Sequence, residues 1–172
     1  MYAENDPENS MTKYVLLILT VLCVFIGCTR DDICAEGTAT TPLLIITFKD
    51  SANPADAKEV PNLTVKTSGL NGVAILSRTT TDSIAIPLNT NLDMASFIFK
   101  KDDGGSTPND AMVAFTYQRE DLYVNRACGF KTIFTNLTTQ EEDPNTGNWI
   151  ASIETLNPTV ANETSAHLTI FH

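Results

Sequence analysis

The chain has 172 residues, 42% of them hydrophobic, and carries 21 acids against 11 bases for a formal charge of −10. An acidic surface of this kind repels nucleic acid and offers no polybasic patch to an anionic membrane. The length suits one domain with a real core.

Residues 1–10, MYAENDPENS, put Glu4, Asp6 and Glu8 ahead of an apolar run, where a signal peptide wants positive charge. A misannotated start removes the conflict: translation from Met11 gives MTKYVLL, with Lys13 as the positive residue. The apolar run Tyr14 to Gly27, broken only by Thr20, has about 14 residues, short of the roughly 20 that span a bilayer. It reads instead as the apolar region of a signal peptide. Phe25-Ile26-Gly27-Cys28 sets a small residue before a cysteine and resembles the lipobox of bacterial lipoproteins, which is cut before the cysteine that then takes the lipid. Phe25 stands where leucine is usual, and an ordinary signal peptide beside a cysteine is the other reading. Residues 11–27 are thus read as a lipoprotein signal peptide, Cys28 as the lipidation site, 28–41 as a lipidated tether and 42–172 as a single domain. Without Lys13 and the three leading acids the mature chain carries −8 rather than −10. Attachment to the membrane would come from the lipid alone, two or more acyl chains being enough for stable anchoring.

Of the four cysteines, Cys23 leaves with the signal peptide and Cys28 is lipidated. Cys34 and Cys128 remain in an oxidising compartment, where a disulfide is the natural reading and two free thiols the alternative. The bridge would close a loop of roughly 95 residues and contribute about 4 kcal/mol at most. Only Thr29 to Ile33 would then separate the lipid from a fixed point on the domain, a reach of about 20 Å. The domain would sit against the membrane.

Beyond the tether the chain reads as all-β, rich in Thr, Ile and Val and poor in helical periodicity. PLLIITFKD (Pro42–Asp50) reads as a continuous apolar strand, expected to be buried on both faces or nearly so. NLTVKTSG alternates and ends at Gly69, and GVAILSR follows the Asn71-Gly72 turn signal. DSIAIPLN alternates Ile84, Ile86 and Leu88, with Pro87 marking an edge position. MASFIFKKDDGG and AMVAFTYQ read as a hairpin around the polar loop Lys101–Asp110, with Val113, Phe115 and Tyr117 on one face. In DLYVNRACGFKTIFTNL, Leu122, Val124, Cys128, Phe130 and Phe134 share one parity, which points the cysteine and both phenylalanines at the core; Gly129 suggests a bulge. WIASIETL is expected to put Trp149, Ala151 and Ile153 inward, and AHLTIFH closes the chain. Nine or ten short strands with turn signals between them suit an antiparallel two-sheet sandwich of immunoglobulin-like type, with a small β-barrel as the alternative. Pro87, Lys100 and Lys101 would guard strand edges against unwanted pairing.

The lipobox followed in order by DDIC, TPLLIITFKD, PLNTN and RACGFKTIF resembles the uncharacterised lipoproteins of Bacteroidota catalogued as a domain of unknown function. The resemblance implies a Gram-negative cell and an outer-membrane location, and no activity. Thr29-Arg30-Asp31-Asp32 is similar to the acidic signals that follow the lipidated cysteine of surface-displayed lipoproteins in that phylum; solvation of the tether is the plainer meaning. Asp50-Ser51-Ala52 and Asp82-Ser83-Ile84 resemble the phylum's O-glycosylation sites, which makes Ser51 and Ser83 candidates, Ser51 the better one because it opens a loop. Asn62, Asn136 and Asn162 lie in Asn-x-Thr sequons, which matter in eukaryotic secretion and not in this setting.

Catalysis needs convergent titratable groups. His167 and His172, five apart, are expected on opposite faces of one strand, which excludes a metal pair there; His167 reads as a half-exposed strand residue. There is no Gly-x-Ser-x-Gly elbow, phosphate-binding glycine loop or His-Glu-x-x-His. The acids Asp102, Asp103 and Asp110, and Glu141, Glu142 and Asp143, read as solvated hairpin tips; Asp143-Pro-Asn145-Thr-Gly147 lacks the ligand spacing of an EF-hand. Trp149, Tyr117, Tyr123 and Phe99 could form a sugar-stacking platform, although parity assigns Trp149 to the core. No cofactor and no metal are implied. The resulting expectation is a non-enzymatic accessory or interaction lipoprotein that docks on an integral outer-membrane protein. The alternatives are a glycan-binding surface lipoprotein and a hydrolase built around His167.

Overall fold

The computed structural model describes residues 12–20, 33–69, 71–142 and 149–172. Residues 12–20 form a helix whose apolar side chains, Tyr14 to Leu19, are exposed, and among the described residues no helix is long and apolar enough to cross a membrane. Nine strands follow among the described residues: β1 (Leu44–Lys49), β2 (Val60–Thr67), β3 (Ala74–Thr81), β4 (Ser83–Ile86), β5 (Met94–Lys101), β6 (Asn109–Asn125), β7 (Gly129–Glu141), β8 (Ser152–Thr155) and β9 (Leu168–Phe171). They make a four-stranded sheet in the order β4-β1-β9-β8 and a five-stranded sheet in the order β3-β2-β5-β6-β7.

The two sheets face each other over one core, as the period-two pattern requires. Leu44, Ile46 and Phe48 of β1, Ile84 and Ile86 of β4 and Ile170 of β9 meet Leu63 and Val65 of β2, Phe97 and Phe99 of β5, Val113 and Phe115 of β6 and Phe134 of β7. Among the described residues the two sheets do not close into a barrel, β7 taking only an isolated bridge from Val160 to Phe134, so the barrel alternative falls and the sandwich stands. The likeness to immunoglobulins is one of architecture; the strand order is this chain's own.

All pairs are antiparallel except β1 with β9, which run parallel from Ile46↔Leu168 to Lys49↔Phe171. The first strand of the domain is therefore inserted between β4 and the last strand. This central place explains the nearly continuous apolar character of β1: Leu44, Ile46 and Phe48 are fully buried, and the side chains between them are only partly covered.

Three features differ from the sequence reading. DLYVNRACGFKTIFTNL is not one strand: β6 runs to Asn125 and turns into β7 at Gly129, so parity does not carry across. Phe134 is in the core, whereas Phe130, of the same parity on β7, is 67% exposed because it lies on the part of the hairpin that runs past the end of β5. Ala151 is likewise exposed and Ile150 buried in its place, because residues 149–151 precede the regular part of β8. Lys100 and Lys101 lie in β5, between β2 and β6, and guard no edge; Pro87 does follow the edge strand β4.

Asn62 (φ 43°) and Asn136 (φ 53°) occupy left-handed backbone, which asparagine tolerates better than most residues. Each sits where a ladder slips. Around Asn136, β7 carries one more residue than β6 opposite it, between Thr116↔Thr138 and Gln118↔Thr135, and the Asn136 amide donates to Gln118 Oε1 at 2.7 Å. Bulges of this kind bend a long hairpin and sharpen its twist.

Candidate functional site at the anchored end

Cys34 and Cys128 are disulfide-bonded, with Cα atoms 4.8 Å apart. The bond ties the segment ahead of β1 to the tip of the β6–β7 hairpin. Asn125 shapes that tip: its side-chain oxygen accepts the Cys128 amide hydrogen at 2.7 Å, an Asx-type turn. Gly129 then takes φ +71°, which closes the turn beside the extra residue Val124 on β6. A second tie lies further along, where the Thr132 amide donates to Thr41 Oγ1 at 3.0 Å and the Thr132 hydroxyl donates to Asp121 at 2.7 Å.

The hairpin extends past its neighbours. β5 stops pairing with β6 at Met94↔Thr116, while β6 and β7 stay paired to Asn125↔Gly129. On this extension Tyr123 and Phe130 are cross-strand partners, both exposed, with ring centroids 5.4 Å apart and nearly perpendicular planes. Edge-to-face pairs of this sort are favourable beyond their area alone.

Close by is an open, mostly apolar groove of about 530 Å³, lined among others by Val73, Ile75, Leu88, Leu92, Met94 and Phe97. Asn89, which also lines it, is held by Tyr117, whose hydroxyl accepts the Asn89 amide hydrogen at 2.8 Å and donates to the Asn89 carbonyl at 3.0 Å. Burial raises the Tyr117 pKa above its ordinary value. The Asn89 side chain in turn accepts the Asn91 amide hydrogen at 2.8 Å, so PLNTN acts as a shaped turn.

The other candidate residues are dispersed. Cys28, and with it residues 143–148 of the second acidic loop, lies outside the described residues. Ser51 is exposed in the loop after β1; Ser83 is exposed at the start of β4. The sugar platform does not assemble: Phe99 and Tyr117 are core residues, and Trp149 is half-buried, its indole N–H donating to the Phe99 carbonyl at 3.1 Å while Tyr123 stands apart on the hairpin. Lys101 rests 5.5 Å over the Trp149 ring, and burial lowers its pKa.

His167 is not half-exposed but 1% exposed, just before β9. Its Nδ1 accepts the Ile45 amide hydrogen at 3.0 Å, which leaves the proton of the neutral ring on Nε2. Such a ring is a stitch between strands. His172 packs edge-on against Trp149 and Phe48.

Asp102 is a turn staple: it accepts from the Thr107 amide and hydroxyl and from the Asn62 amide, and these bonds, the Thr107 amide first, lower its pKa. Asp103 accepts from the Thr64 hydroxyl and pairs with Arg78. Among the described residues no group of three or more His, Cys, Asp or Glu could hold a metal ion.

Sequence reasoning missed the exposed aromatic pair. The signal was present in Asn125 and Gly129, which mark a hairpin turn, but the cysteine between them reads as one more apolar position.

The fold and this end of it define a disulfide-tied all-β sandwich. Residues 62–172 match a family of unknown function, DUF6452, and the chain belongs to that family. No curated protein and no solved structure matches it. The matched span opens inside β2, yet the sheet it contains is completed by β1, which separates β4 from β9. The folding unit therefore reaches back at least to Leu44.

Proposed function

We propose that this chain is an outer-membrane lipoprotein of the Bacteroidota type. Acyl chains on Cys28 would hold it, and its role would be that of a non-enzymatic accessory subunit beside an integral outer-membrane protein. The observation that carries this reading is the Cys34–Cys128 bridge. With lipid on Cys28, the five residues Thr29 to Ile33, roughly 20 Å from Cys28 to Cys34 at full extension, separate the bilayer from a fixed point on the sandwich. A domain held this close works on what shares its membrane. The placement of His167, whose Nδ1 is committed to the backbone of the first strand, favours a binding role over catalysis. Among the described residues β3 pairs with β2 alone and is mostly exposed, which leaves an edge for a partner strand.

The test is crosslinking in intact cells, mild-detergent extraction of the tagged full chain, and mass spectrometry of what stays bound. One integral outer-membrane protein in constant ratio to the lipoprotein is the expected result. Recovery of the lipoprotein alone after crosslinking would overturn the accessory reading.

A further inference from the structure

The strand directions sort every connection to one end of the sandwich or the other. β1 and β9 start, and β4 and β8 finish, at the end where Thr41 meets Thr132; β2 finishes and β3 and β5 start there, and the β6–β7 tip lies there. Among the described residues outside the helix of residues 12–20, the exposed large hydrophobic ones all fall at this end. Ile33 precedes the disulfide, Val73 follows the β2–β3 turn, and Leu92 and Met94 close the connection into β5. Tyr123 and Phe130 form the hairpin pair, and Leu156 leaves β8. The described connections at the opposite end carry Asp50, Asp56, Glu59, Asp82, Asp102, Asp103 and Glu142, with Lys58 as the base among them. The apolar end has fewer acids in its connections, Glu36, Asp93 and Glu163, and has Arg126 at the hairpin tip. The molecule is thus polarised along its strands.

We propose that the apolar end is a membrane-docking face: the Tyr123–Phe130 pair and its neighbours rest in the headgroup region of the bilayer, with the sandwich standing on end and its acidic loops pointing away. The inference rests on the lipid-anchor reading. Two observations choose lipid over a protein partner as the occupant. The chain enters the domain at this end, its last fixed points being Cys34 and Thr41, so an anchor at Cys28 draws this end and not the other to the surface. The exposed side chains also come from separate connections and include an aromatic pair on the part of the hairpin that runs past β5, the arrangement that suits an interface where rings sit at headgroup level. The opposite end, with its acids, is repelled from an anionic leaflet.

The chain contains a single tryptophan, Trp149, whose indole bonds to Phe99 near the acidic end. It is a built-in control. The lipidated full chain, wild type and Phe130→Trp, is reconstituted into phosphatidylethanolamine–phosphatidylglycerol vesicles with acyl chains brominated near the headgroup, and recovered by flotation. Phe130 is exposed, so the substitution does not disturb the core. The expected result is unchanged Trp149 emission in the wild type and loss of the added tryptophan's emission in the variant, relative to unbrominated vesicles. Floating protein whose tip tryptophan is not quenched would overturn the docking face and leave the anchor standing, the apolar end then being free for a protein partner. Quenching of Trp149 would overturn the upright orientation. Failure to float would overturn the anchor reading and this inference together.

Discussion

His167 holds Ile45 twice: its Nδ1 accepts the Ile45 amide hydrogen at 3.0 Å, and its own amide donates to the Ile45 carbonyl at 2.9 Å. Ring and backbone together fasten the entry of the last strand to the first. Burial is the largest influence on the ring and pulls its pKa below the ordinary value, while the Asn162 backbone and Glu163 pull it partly back. His172 is displaced in the same direction, again mainly by burial. For a histidine depressed in the folded state, the unfolded chain binds more protons as pH falls below about 6.5, so stability is full above that value and declines beneath it. Urea midpoints are expected to be lower near pH 5.5 than near pH 7.5, and His167→Phe should flatten the difference. The variant also strands a buried amide, at a cost of about 1–3 kcal/mol. Equal wild-type midpoints at the two pH values would contradict this account.

Phe134 and Phe130 are four positions apart on β7 and have opposite fates. Phe134 is fully buried, 5.0 Å from the Tyr117 ring. Phe134→Ala should cost about 3–5 kcal/mol, whereas Phe130→Ala should stay within about 0.5 kcal/mol. Chemical denaturation of both variants checks how far the core reaches along the hairpin: comparable losses would place Phe130 in the core.

Removing the disulfide by Cys34→Ser with Cys128→Ser releases a loop of sequence separation 94. The expected loss is up to about 4 kcal/mol. It should be accompanied by faster amide exchange at Thr132, whose bond to Thr41 Oγ1 loses its neighbouring tie. Unchanged exchange there would show that the segment docks without the bridge.

Asp102 sits at φ +54° and supplies the acceptor for Thr107 and Asn62. Asp102→Asn keeps both the backbone tolerance and an acceptor, so thermal stability should fall less than in Asp102→Ala. Hydrogen bonding, the Thr107 amide first, depresses the Asp102 carboxyl, so its contribution is present above the ordinary carboxylate value and is lost as pH falls through the folded one. This acid step lies below the histidine step.

Local alternation revealed β2, β4 and the inner face of β6, because one face of each is buried and the period is two; β1 was legible as an apolar run and β5 as one arm of a hairpin around a polar loop. The all-β class and the Cys34–Cys128 pair were legible for similarly local reasons, composition and cysteine count. What escaped depends on partners distant in sequence. Nothing in AHLTIFH tells that β9 lies parallel to β1, and hence that His167 finds an acceptor role on Ile45. The parity of WIASIETL fails at Ala151 since the regular strand starts only at Ser152. Phe130 has the same parity as Phe134 on β7, but it lies where the hairpin has run past the end of β5, and local alternation does not tell how far the core extends along a strand. The polarity of the two ends emerges only when strand directions are known.

The measurement that tests the central claim most directly is the intact mass of the mature protein from its own membranes, with fragmentation of its first residues. The account predicts a chain that begins at Cys28 and carries acyl additions on that residue. A chain that retains residues ahead of Cys28, or an unmodified Cys28, would contradict it.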